Sequence, residues 1–136
     1  MNEKQISRGV EIRAQIDTEI VRGLLLANGG GAVALLAFLP QVFEKTALAR
    51  LALPVVWALF IFQVGITAVL VHTRFRRLCS MVYEQHGYAP PPGKFFGLAF
   101  NEPGVCVTSK CFMWLSIASF LAGGLIVFVG ALCTLH

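Results

Sequence analysis

The sequence predicts an all-α integral membrane protein: three transmembrane helices, an N-terminal amphipathic helix and a long cytoplasmic loop, in a single membrane domain over residues 1–136. Three observations carry this. Of 136 residues, 57% are hydrophobic and only 13% charged, against roughly 25% charged in an average soluble domain. Three runs, 23–43, 51–71 and 111–135, hold no Asp, Glu, Lys or Arg. Each is long enough at helical rise to cross a hydrocarbon core of about 30 Å. Finally, the basic residues are distributed unevenly between the segments that join these runs.

In residues 1–21, Ile6, Val10, Ala14, Ile16, Ile20 and Val21 recur at helical periodicity, opposite Lys4, Arg8, Glu11, Gln15 and Arg22. Arg13 and Asp17 interrupt the apolar stripe at a spacing that lets them pair. Such a segment lies on the membrane surface, runs straight into the first span, or docks onto a partner. Ala47-Leu48-Ala49 resembles a cleavage site, but the lead-in is long and acidic and the stretch from Pro40 is too extended, so retention is expected.

The first span is expected over 22–43, with Pro40 opposing continuation of the helix. Residues 41–50 then form a short turn. The second span covers 51–73, with Pro54 in its first turn, where a missing N–H has no cost, and Trp57 at interfacial depth. The helical pattern continues past Arg74, Arg76 and Arg77 until Gly87. Within the connection 74–110, Tyr88-Ala89-Pro90-Pro91-Pro92-Gly93 favours extended backbone. Phe95, Phe96, Leu98 and Phe100 form a patch too brief to span, expected along the headgroups or against a partner. Asn101-Glu102-Pro103-Gly104 reads as a turn. The third span covers 111–135, marked at one interface by Trp114.

Orientation follows from the eleven Lys and Arg residues. Lys4, Arg8, Arg13 and Arg22 precede the first span, and Arg74, Arg76, Arg77, Lys94 and Lys110 lie between the second and third. Only Lys45 and Arg50 occupy the first connection. The excess predicts a cytoplasmic N terminus and long loop, with the C terminus outside a bacterial-type inner membrane. The formal charge of +4 is thereby assigned to topology and anionic lipid, not to nucleic acid. The thiols of Cys79, Cys106 and Cys111 would then face a reducing compartment, so a structural disulfide is not expected.

Gly23, Ala27, Gly30, Gly31, Ala34 and Ala37 line the first span at helical spacings. Small residues allow close backbone approach, which drives helix association in lipid. Ser116, Ser119, Gly123 and Gly130 form a similar face on the third span. The two faces either pack on each other or meet other chains. Asn28 is expected to point away from its stripe, near Leu24 and Leu35, where a second copy or the backbone carbonyls loosened by the three glycines could supply a hydrogen-bond partner. Gln63, with Gly65 and Thr67 beside it, lies near mid-bilayer, within expected reach of Asn28 or Ser119. His72 is expected at the interface beside the arginines. His72 and His136 lie at opposite faces, too far apart to bracket a haem.

Cys79, His86, Cys106 and Cys111 supply a conceivable zinc set, although their spacing matches no ribbon or finger. Glu84 and Glu102 have no evident partner. No Ser, His and acid grouping recurs, and Gly29-Gly30-Gly31 precedes no lysine. A non-enzymatic protein without a cofactor is expected, whose partners are the bilayer and other membrane subunits or itself. The leading reading is an accessory or scaffolding subunit. The alternatives are a pore-forming effector lined by Asn28, Gln63, Thr67 or Ser119, and a zinc- or ligand-sensing regulator.

Overall fold

The computed structural model describes residues 3–44, 46–85, 92–95 and 98–135. Three long helices dominate: α1 (Glu3–Glu44), α2 (Ala52–Gln85) and α3 (Gly104–Leu135). Each contains a stretch long and apolar enough to cross a membrane. In such a slab every backbone N–H and C=O must be satisfied within the segment, so helix persists through Gly29-Gly30-Gly31 although glycine weakens helices in water. Residues 3–21 and the first span are one uninterrupted helix.

Pro40 does not end the helix. Its ring leaves the Leu36 carbonyl without the usual intrahelical donor, yet α1 continues one turn to Glu44. Val42, fully buried with Leu51 and Val55 and flanked by Leu35, Phe38 and Leu39, holds that last turn. The short first connection contains a 3-10 turn over Thr46–Leu51.

The α1–α2 hairpin is an antiparallel coiled-coil seam. Asp17, Val21, Leu24, Asn28, Gly31, Leu35, Phe38 and Val42 alternate steps of four and three along α1, and none is fully exposed. Leu51, the last residue of the 3-10 turn, and Val55, Ala58, Phe62, Gly65, Val69 and His72 on α2 are buried with the same alternation. This period keeps one stripe facing a neighbour along the helix length. Asp17 meets Arg76, Asn28 meets Gly65 and Gly31 meets Phe62. Each step forward on α1 is thus matched by an equal step back on α2. α3 packs along α2 as well and touches α1, with the Phe75 and Phe112 rings stacked at 6.0 Å.

The all-α expectation is incomplete. Antiparallel strands β1 (Gly93–Phe95) and β2 (Leu98–Phe100) pair in the register Gly93↔Phe100, Lys94↔Ala99, Phe95↔Leu98. Aromatic residues suit strands, and this ribbon is fastened to the start of α3. Gly93 N–H donates to the Glu102 carbonyl at 3.0 Å, and a Cβ on Gly93 would stand 2.9 Å from the Pro103 carbonyl carbon. Only glycine permits that approach. The Tyr88–Pro91 segment and His86 lie outside the described residues.

Candidate functional site

The two small-residue faces have opposite fates. On α3, Ser109, Ser116, Gly123 and Gly130 recur every seventh position, each receiving a side chain from within the chain. Ser109 meets His72, Ser116 meets Asn28, Gly123 meets Phe62 and Gly130 meets Pro54. The Phe62 ring is wedged between two glycines. A Cβ on Gly31 would stand 2.9 Å from its Cζ, and one on Gly123 3.0 Å from the same atom. Ser119, also buried, donates to its own helix, to Leu115 O at 2.8 Å.

On α1 the stripe divides. Gly31 turns inward, whereas Gly23, Gly30, Ala34 and Ala37 are exposed and Ala27 is half-buried. An added Cβ at Gly23 or Gly30 would meet nothing within 4 Å.

Asn28 lies off the exposed small-residue stripe, as expected, on the seam with Leu24 and Leu35, and its partner comes from within the chain. Its side chain is 0% exposed, at the junction of all three helices. Nδ2 donates to Leu24 O at 3.1 Å, to Ser116 Oγ at 3.2 Å and to Ser116 O at 3.5 Å. Among the described residues Oδ1 receives no hydrogen bond. It lies against Gly65, where an added Cβ would overlap Oδ1 and stand 2.7 Å from Cγ. The Gly65 C–H in that direction offers a weak contact in place of a stronger donor. A second copy is not needed to partner the amide. Gln63 and Thr67 do not reach Asn28 or Ser119: both lie on the exposed side of α2, where Thr67 Oγ1 donates to Gln63 O at 2.9 Å.

The basic end is more ordered than a headgroup fringe. Arg74 and Arg77 are exposed, but Arg76 is half-buried and bridges to Asp17 on α1. Asp17, for which a pairing with Arg13 is expected, thus reaches across to another helix; the Arg13 side chain lies outside the described residues. We predict that Asp17→Ala and Arg76→Ala will be non-additive, with a coupling of about 1 kcal/mol in a double-mutant cycle. Full additivity in a thermal-unfolding assay would contradict the tie. Glu102, expected to be alone, accepts from Lys110 Nζ at 2.6 and 2.7 Å.

His72 is enclosed by the bundle, 4% exposed. Its Nδ1–H donates to Ser109 O at 2.7 Å while Ser109 Oγ–H donates to His72 O at 3.3 Å. This reciprocal pair fixes the Nδ1–H tautomer.

The expectation of no disulfide is overturned. Cys79 and Cys106 are bonded, with Cα atoms 5.1 Å apart, while Cys111 and Cys133 are free and exposed. Two thiols of the conceivable zinc set are thereby consumed, and His86 lies outside the described residues. Among the described residues no three His, Cys, Asp or Glu side chains converge as metal ligands.

The chain is a multi-pass helical membrane protein, closed within itself by a polar seam and open along one face of α1. No family model, curated protein or solved structure matches it.

Proposed function

We propose that this protein is a non-enzymatic accessory or scaffolding subunit of a bacterial-type inner membrane, acting by lateral helix association. The supporting observation is the outward face of Gly23, Gly30, Ala34 and Ala37, where nothing among the described residues occupies the space beside the two glycines. Close approach of a second membrane helix to such a surface gains van der Waals contact that lipid tails supply less well. The exposed Gln63 amide on α2 adds a group that gains from a polar partner in hydrocarbon. The partner is another membrane subunit or a second copy.

Pore formation draws less support. Asn28 and Ser119 face the interior while Gln63 and Thr67 face outward, so the four do not converge on one opening. The test of association is extraction of the protein in native lipid particles. Co-migration at fixed stoichiometry with another subunit or itself is the expected result, and a lone chain in each particle would defeat the proposal.

The proposed orientation places the N terminus and the α2–α3 connection in the cytoplasm, from the nine basic residues in those segments. A reporter fused after His136 is expected to be active only outside the cytoplasm. Cytoplasmic activity of that fusion would reverse the assignment.

A further inference from the structure

We propose that the Cys79–Cys106 disulfide is a redox-active centre that exchanges with a small dithiol, in addition to tying α2 to α3. For its cellular setting this rests on the orientation proposed above: the bond lies at the end of the bundle carrying Arg74, Arg76, Arg77 and Lys110. Disulfides found in a reducing compartment are usually transient, serving catalysis or redox sensing.

The geometry supplies what exchange needs. Both half-cystines line a cavity of about 340 Å³, whose other walls include Asp17, His72, Arg76, Tyr83 and Lys110. A bond serving only as a brace needs no such space beside it. The wall charges are balanced, Arg76 by Asp17 and Lys110 by Glu102. That balance suits a small dithiol of low net charge.

The two sulfurs are also inequivalent. Cys79 is half-buried whereas Cys106 is 4% exposed, so an entering thiolate reaches Cys79 first. Cys106 is the third residue of α3, a helix of 32 residues. The positive end of a helix stabilises a thiolate there and makes it the better leaving group.

The dithiol's first sulfur, as thiolate, attacks Cys79 Sγ. The S–S bond breaks and its electron pair goes to Cys106 Sγ, leaving a mixed disulfide on Cys79. The second sulfur, its proton lost to solvent, attacks the first and expels the Cys79 thiolate. The dithiol is oxidised by two electrons to a cyclic disulfide, and Cys79 and Cys106 become the reduced pair after taking up two protons.

The test uses the full chain in lipid nanodiscs, with Cys111→Ser and Cys133→Ser so that only the pair reports, and dithiothreitol as the dithiol. Reduction is expected at least about tenfold faster than that of glutathione disulfide under the same conditions. Reduction slower than glutathione disulfide would overturn the proposal, and this measurement requires neither Cys79 nor Cys106 to be replaced. In the same background, Cys79→Ser and Cys106→Ser isolate the two thiols. Alkylation of Cys106 should have its pH midpoint at least about one unit below that of Cys79, and coincident or reversed midpoints would refute the assigned leaving group. The nanodisc rates read exchange alone and the reporter fusion reads orientation alone, so failure of either is distinguishable.

Discussion

Gly65→Leu is expected to disassemble the three-helix packing, with a loss of at least about 3 kcal/mol, from overpacking together with a displaced buried amide. Even a Cβ at this position overlaps Asn28 Oδ1, and Asn28 is fully enclosed. The amide would have to leave its place against α2, and with it would go the bond from Nδ2 to Ser116 Oγ that joins α1 to α3. Asn28→Ala in the Gly65→Leu background should therefore recover part of the loss, because it removes the obstructing group. Steric trapping or thermal unfolding in nanodiscs measures both. A Gly65→Leu protein as stable as the parent would mean that Asn28 does not occupy this junction.

Gly30→Leu and Gly31→Leu, adjacent on one helix, are expected to fail in different ways. At Gly31 the new side chain collides with the Phe62 ring, 2.9 Å from an ideal Cβ. Overpacking of this kind costs about 1–3 kcal/mol and should lower the unfolding midpoint. At Gly30 nothing lies within 4 Å, so the isolated fold should keep its midpoint. Lateral association, in contrast, should weaken by at least about tenfold, since the close approach permitted by glycine is lost. Förster transfer between labelled copies, together with co-purification of other subunits, reads association, and thermal unfolding reads folding. Equal effects of the two substitutions on both assays would sink the division between an inner and an outer face. The even treatment of Gly30 and Gly31 that a single stripe implies is thus replaced by two distinct outcomes.

Much of the architecture was legible because it depends on quantities summed along the chain. Hydropathy and charge located the spans, and Pro54 fell near the start of α2 as a first-turn proline should. Facing was harder to read. Within a run where almost every side chain is apolar, the alternation of Val55, Ala58, Phe62, Val69 and His72 leaves no contrast against its neighbours, so the seam that turns Asn28 inward is hidden. Gly23, Ala27, Gly30, Gly31, Ala34 and Ala37 fit one broad stripe on α1 alone, and only the register against α2 separates Gly31 from Gly30. Pairings across long separations were also invisible. Cys79 and Cys106 are 27 residues apart, and the inferred compartment argued against joining them. Asp17 had a plausible partner in Arg13, four residues away, which concealed Arg76 on another helix.

The continuity of α1 has a mechanical consequence. Its 42 residues correspond to about 63 Å at 1.5 Å per residue, roughly twice the thickness of a hydrocarbon core. The surplus is a stiff extension of the first span. A push or twist applied near Glu3 travels along one continuous helix to the Asn28 junction and, past the single bond missing at Pro40, to Val42. Anything that grips this protein beyond the headgroups therefore holds a handle on its interior.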